Sequence, residues 1–381
     1  MNTDIKNHIV GFGTFDQIGK INAQFAPKKI MLVTGRGSYA ACGAKEIIGN
    51  NFSPNEYIQF NDFEINPKLS DAQRGTELAR ANNIDLILAI GGGSVIDIAK
   101  LIKALYTANP NKAESIARGE TAMSDPNIPL VAVPTTAGSG SEATHFAVVY
   151  IGKDKFSLAD QALLPNMTIL DGKLLQSASA YQKAINGLDA LAQSIEGCWA
   201  VGSTDESQAY GFKGIELLMT NLSKILTTND EESLQNVMLA SNLAGKTINI
   251  SKTTAAHAFS YAFTGYHDVP HGHAVWLTLP EIFAIHLEGN CETVNDPRGL
   301  EHVSSTLRHL TKLLGIQNTQ TTGDFLRKFL VRLGVEPDMQ KMGAITNEQR
   351  SFIPLQVNLQ RLDNNPFILG KKEISRIFSI S

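Results

Sequence analysis

The 381-residue sequence is poor in the features that special architectures need. Its three cysteines, Cys42, Cys198 and Cys291, are far apart and form no CxxC pair, which excludes a disulfide framework and a zinc ribbon. No run of roughly eighteen apolar residues occurs, so no membrane-spanning helix is expected. The opening, MNTDIKNHIVGFG, has no apolar core behind a basic start, so no secretory leader is expected. An excess of one charge is also missing. The 33 Lys and Arg meet 37 Asp and Glu, a net charge of −4, which gives no electrostatic footprint for nucleic acid or an anionic membrane. Repeats and low-complexity tracts are absent. These absences indicate a protein of the reducing cytoplasm with neither a nucleic-acid nor a membrane partner.

What is present is an ordinary globular composition, 43% hydrophobic and 18% charged, in a chain longer than one core usually serves. Two domains are expected, 1–176 and 177–381. In the first, KKIMLVTG, NEYIQFND, IDLILAIGGGS, IPLVAVPTTAGSGSEAT and MTILDGKLL read as strands, and CGAKEIIGNN, LSDAQRGTELARANN and VIDIAKLIKALYTANP read as helices between them. Such alternation predicts an α/β domain with a parallel sheet covered on both faces. After Ser177 the period is helical throughout, which predicts an all-α second domain; the stretch 337–356 is the least periodic part.

Two loops after strands suit a dinucleotide. Gly91, Gly92 and Gly93 follow an apolar strand and Ser94 opens a helix, which offers backbone N–H groups and a positive helix end to a pyrophosphate. Asp97 lies one turn on. Thr135, Thr136, Ser139 and Ser141 follow another strand and line a small, hydroxyl-rich loop. In open α/β sheets ligands bind at the carboxyl ends of strands. A third strand ends at Gly35-Arg36; an Arg with no acidic residue there suits a 2′-phosphate, which favours NADP over NAD.

Asp189, Gln193, His257 and His271 are candidates for one metal site. Asp189 and Gln193 are four apart and share a helix face. A carboxylate with two imidazoles suits a divalent transition metal, Fe or Zn, whereas an amide is a weak ligand. His267, His271 and His273 lie close together, and spacing does not choose among them. Asp189 also suits a helix start, and His257 a satisfied core histidine.

The motifs IDLILAIGGGSVIDIAK, VPTTAGSGSEAT, LPNMTILDGKLL, INGLDALAQSIEG and HAFSYAFTGYHDVPHGHA, in that order, resemble the iron-containing (group III) alcohol dehydrogenases, with a weaker echo in VNLQRLDNNPF. The resemblance implies the dehydroquinate synthase-like fold, an NAD(P) cofactor, a divalent metal, a small aldehyde or alcohol substrate, and a homodimer. It places the phosphate loop on Gly91, Gly92, Gly93 and Ser94, the nicotinamide loop on Thr135, Thr136, Ser139 and Ser141, and a cofactor-facing lysine on Lys155. It places the metal ligands on Asp189, Gln193, His257 and His271, with Gln193 standing where the family has His. A further family histidine linked to proton transfer falls on Tyr261, so Tyr261 and His267 are the proton-relay candidates. The segments around GLDALAQSIEG, HAFSY and PHGHA are similar to the phosphonoacetaldehyde reductase branch. A phosphonate needs cations, for which Lys155, His145, Lys252 and His273 are candidates. Two other readings share the fold: a nucleotide-binding protein that has lost metal-dependent redox activity, and a lyase of the dehydroquinate synthase type.

Overall fold

The computed structural model of the chain describes residues 8–152, 154–342, 346–356 and 362–379. Residues 1–7, read above for a leader, and 357–361, half of the carboxyl-terminal echo, lie outside the described residues, as do 343–345 of the least periodic stretch. The chain forms two compact units. The first takes residues up to Ala178 together with Asn229–Asn242, and the second takes Ser179–Thr228 and the chain from Leu243 onward.

The strands are β1 (His8–Val10), β2 (Ile30–Thr34), β3 (Tyr57–Phe60), β4 (Leu86–Gly91), β5 (Leu130–Pro134), β6 (Phe146–Ile151), β7 (Asp154–Ala159) and β8 (Met167–Leu170). Six of them form one sheet in the order β1-β8-β5-β4-β2-β3, with every pair parallel. Parallel strands buried on both faces carry apolar side chains at successive positions. Here Leu86, Leu88 and Ile90 of β4 enter one core with Ile30, Leu32, Val131 and Val133. Ile87 and Ala89 enter the other with Met31, Val33, Leu130 and Ala132. The expected α/β unit is therefore the one observed, and the five strands read from the sequence are β2, β3, β4, β5 and β8.

The remaining pair, β6 and β7, forms an antiparallel hairpin that the sequence reading passed over. Its signal was present: FAVVYI and FSLA flank a turn where Gly152 takes φ +63, a conformation glycine adopts without strain.

The second unit is helical, again as expected. The helices that matter below are α1 (Gly93–Leu105) in the first unit and α2 (Ala180–Trp199), α3 (Asp205–Thr227), α4 (Ala255–His267) and α5 (His271–Trp276) in the second. A capping box of Ser179 and Gln182 starts α2. A Cβ on Gly187 would lie 2.3 Å from Leu222, so glycine lets α2 and α3 pack closely. No helix among the described residues is long and apolar enough to cross a membrane.

Candidate active site

The sheet register brings three loops together. Thr34 of β2 pairs with Ile90 of β4, and Gly91 pairs with Pro134 of β5, so the loops after β2, β4 and β5 leave neighbouring strands at the same level. The Thr135 N–H donates to the Gly91 carbonyl at 3.0 Å. A Cβ on Gly93 would lie 2.7 Å from Ser139 Oγ, and one on Gly92 would lie 3.0 Å from Thr136 Oγ1. The glycines thus have a reason inside the protein, since the hydroxyl loop presses on their backbone. Gly93 begins α1, one residue before the expected Ser94, and the first-turn N–H groups keep the anion-binding character of a helix start. Thr135 is buried and its Oγ1 has no hydrogen-bond partner among the described residues.

Asp97 is engaged by the protein's own loop. Its oxygens accept from Ser141 Oγ at 2.5 Å and from the Val148 N–H at 3.1 Å. Burial pushes its carboxyl up against the opposing charges of Lys100 and Lys155 and these hydrogen bonds. Lys100, which the sequence reading missed, is fully buried on the same helix. Its ammonium donates to the carbonyls of Ser141 (2.6 Å), Thr144 (2.7 Å) and Phe146 (2.8 Å). Burial lowers it to about 8, opposed by Asp97 and Glu142, so near neutral pH it keeps three donors for three carbonyls. Asn242 donates to Glu142 at 3.0 Å and holds the same loop. The signal for Lys100 was a single charge inside the apolar run VIDIAKLI.

Arg36 is exposed, and its guanidinium meets Asp62 at 2.8 Å and the Asn61 carbonyl at 3.3 Å. Both partners of that ion pair are solvated, so it is worth about 0–1 kcal/mol, and it corrects the expectation that no acidic residue lies beside Arg36, because Asp62 comes from the loop after β3. Lys155 sits on β7 opposite Tyr150.

In the second unit Asp189 and Gln193 lie on α2, His257 on α4 and His271 at the first position of α5. One ligand atom from each of Asp189, His257 and His271 lies within 4.8 Å of the others. Asp189 Oδ1 is 3.4 Å from His257 Nε2 and 3.7 Å from His271 Nε2. Bonds of about 2.1 Å in a tetrahedron put ligand atoms roughly 3.4 Å apart, so these spacings fit a divalent metal. His257 Nδ1 is engaged by Glu196 Oε2, which leaves the buried Nε2 lone pair for a metal. Burial acts to lower His257, but the Glu196 charge and the polar contacts with Asp189 and Glu196 outweigh it and raise it to about 9. Gln193 is buried one turn along α2 from Asp189, on the face the spacing predicted.

Backbone contact sets where His271 stands. A Cβ on Gly272 would lie 2.0 Å from the Ile185 carbonyl and 3.0 Å from Asp189 Cβ. Pro270 and Gly272, which suggest a turn in the sequence, instead start α5 and let it lie against α2. Trp276 locks the contact by donating to the Leu188 carbonyl at 2.7 Å.

The structure separates the three clustered histidines. His273 is buried, takes Tyr181 Oη on Nδ1 (3.0 Å) and donates from Nε2 to the Glu336 carbonyl (2.7 Å), so it is neither ligand nor substrate cation. Burial lowers its pKa. His267 ends α4 ten residues beyond His257, about 15 Å along the axis, which removes it from His257 as a neighbour on that helix. Tyr261, one turn after His257, lies parallel to the His271 ring, with centroids 6.0 Å apart. Lys252 is exposed just beyond the helix Glu231–Ser251, and His145 sits edge-on to Phe146 in the first unit.

The family models for iron-containing alcohol dehydrogenase and for the carboxyl-terminal region of the Fe-containing alcohol dehydrogenase family match residues 6–172 and 183–381. Phosphonoacetaldehyde reductase of Streptomyces viridochromogenes is 31% identical over 78% of this chain and 76% of its own. The 1,3-propanediol dehydrogenase of Citrobacter freundii is 31% identical over 71% of this chain and 70% of its own. Among solved structures, sulfoacetaldehyde reductase of Bifidobacterium kashiwanohense in complex with NAD+ is 25% identical, with a TM-score of 0.85 over 98% of this chain and 96% of that one. With both halves matched and the fold shared, the chain belongs to the iron-containing alcohol dehydrogenase family and is an oxidoreductase of the alcohol dehydrogenase type.

Proposed function

We propose that the protein reduces a small, anionic aldehyde with a nicotinamide dinucleotide, in a metal-assisted reaction, and that a phosphonate-bearing aldehyde such as phosphonoacetaldehyde is its substrate. The observation that carries the metal part is the triad of Asp189, His257 and His271, with Asp189 at tetrahedral edge lengths from both histidines. It weighs against a protein that has lost its redox chemistry, because three protein ligands and an open position are the usual catalytic set. The substrate class rests on relatives whose names carry two-carbon aldehydes with phosphonate or sulfonate groups.

A nicotinamide held by the loops after β4 and β5 would supply the hydride for the carbonyl carbon, and this chain's own groups would bring the proton to the oxygen. Asp189, His257 and His271 would hold a divalent metal, which would supply Lewis acidity to that oxygen. Asp189 contributes the negative charge, and His257 and His271 contribute neutral nitrogen donors. Gln193 offers a weak amide oxygen or a hydrogen bond where an imidazole would bind more strongly. Tyr261, held against His271, is the proton relay that the geometry favours. The first-turn N–H groups of α1 take the pyrophosphate, Thr135, Thr136 and Ser139 line the cofactor, and Ser141, Asp97 and Lys100 hold that loop in place. Lys155 remains the cofactor-facing cation. Arg36 favours NADP(H), because its exposed pair with Asp62 is cheap to open toward a 2′-phosphate.

The test is a panel of aldehydes with NADPH and with NADH. The expected outcome is a kcat/KM for phosphonoacetaldehyde about tenfold or more above that for propanal, with the rate lowered by exhaustive chelation. Equal activity on both aldehydes would remove the anionic-substrate reading. An unchanged rate in demonstrably metal-free protein would remove the metal.

A further inference from the structure

A buried chain of hydrogen bonds runs from a tryptophan to one proposed metal ligand. Trp199 Nε1 donates to Thr254 Oγ1 at 2.9 Å. Thr254 Oγ1 donates to Glu196 Oε1 at 2.7 Å, and the Ala256 N–H donates to the same oxygen at 2.8 Å. The other oxygen, Glu196 Oε2, accepts from His257 Nδ1. Trp199, Thr254 and Glu196 are all essentially inaccessible to solvent. A carboxylate so deep in a protein is costly unless each oxygen is satisfied, and here each is. The chain meets His257 at Nδ1, the ring nitrogen opposite the Nε2 that lies 3.4 Å from Asp189 Oδ1.

We infer that Glu196 is a positioning residue that fixes the His257 ring and tautomer, and that in this chain, by strengthening the His257 nitrogen, it compensates for the weak donor Gln193. The inference rests on the metal site proposed above. Glu196 is seven residues after Asp189 and three after Gln193, so all three lie on one stripe of α2. A divalent ion at the triad would meet one directly bound carboxylate, Asp189. Glu196 brings a second negative charge to the site through the imidazole, which strengthens the His257 nitrogen as a donor. Thr254 and the Ala256 N–H fix the carboxylate plane, and Trp199 fixes the Thr254 hydroxyl. The arrangement is preformed, because every bond in the chain joins one protein group to another.

The experiment titrates metal-free wild-type protein, Glu196→Gln and Thr254→Val with Co2+ against a competing chelator, and records the cobalt absorption bands and the melting temperature without metal. Glu196→Gln is expected to weaken Co2+ binding about 10–100-fold and to shift the absorption bands. Thr254→Val should weaken binding in the same direction by a smaller factor. A change confined to melting temperature, with wild-type affinity and wild-type bands, would overturn the inference, because a purely structural carboxylate would not alter the ligand field. If Glu196→Gln fails to fold, Thr254→Val alone decides, and unchanged affinity there overturns the inference. If wild-type protein takes up no metal, the metal-site reading falls and this inference falls with it; uptake unaffected by either variant removes only the role of Glu196.

Discussion

The two candidate regions are built on opposite principles. In the first unit the cofactor loops are local: each is a short run of sequence after one strand, and its shape comes from small hydroxyl side chains pressed against glycine positions. Gly92 and Gly93 are needed because Thr136 and Ser139 stand where a Cβ would go. In the second unit the metal cluster is assembled from α2, α4 and α5, and its shape comes from charged side chains held from behind by other buried polar groups. The first kind of site tolerates changes in side-chain chemistry but not in side-chain size. The second tolerates neither a lost charge nor a lost supporting contact.

Substitutions at the two regions sharpen this contrast. Asp189→Asn removes the only proposed ligand with a charge, and should lower kcat/KM by about a thousandfold or more, roughly 4 kcal/mol, with loss of bound metal by elemental analysis. NADPH binding, followed by fluorescence, should stay near the wild-type level. Gly93→Ala should do the reverse. Its Cβ would crowd Ser139 at 2.7 Å, so dinucleotide affinity should fall about tenfold while metal content is unchanged. Loss of metal in Gly93→Ala would break the comparison, because it would couple the cofactor loops to the metal cluster. Gln193→His puts an imidazole one turn from Asp189 and should tighten metal binding about tenfold. No response in metal affinity would place Gln193 outside the ligand set.

Acid sensitivity should track the buried side chains of the second unit. His286 is buried, accepts from Asn365 Nδ2 at 3.0 Å, and burial lowers it to about 3. A basic group with a depressed pKa binds fewer protons folded than unfolded, so its contribution is complete above the unfolded value near 6.5 and is lost as pH falls toward 3. By pH 5 the loss is about 2 kcal/mol. Urea melts of the metal-free protein at pH 7 and pH 5 should lose about that amount of their difference in His286→Gln.

The sequence revealed the local region better than the assembled one. Strand ends with Gly91 to Gly93 and with Thr135 to Ser141 are contiguous patterns, and β4 and β5 lie side by side in register, so reading each strand end was enough. The hairpin β6–β7 escaped because its two short strands were given no reading between the hydroxyl-rich loop and MTILDGKLL. At the metal site, helix period gave Asp189 and Gln193 a common face, but the same stripe continues to Glu196, and a motif read only for ligands stopped one turn short. The choice among His267, His271 and His273 depended on contacts from Tyr181 and Glu336, residues distant in sequence, and no spacing rule contains them. Lys100 was hidden differently: a lysine in a helix is usually solvated, and only the three carbonyls that surround it reveal that it holds a loop.

Gly272 carries a mechanical consequence. Attraction between charges varies gently with distance and would let a ligand drift toward whatever ion arrived. Contact between the α5 backbone and the Ile185 carbonyl acts as a hard stop, with repulsion rising steeply over a few tenths of an ångström. The His271 backbone is therefore gauged against α2 by a steric ruler. That ruler sets the spacing of α5 from α2 by contact and not by charge.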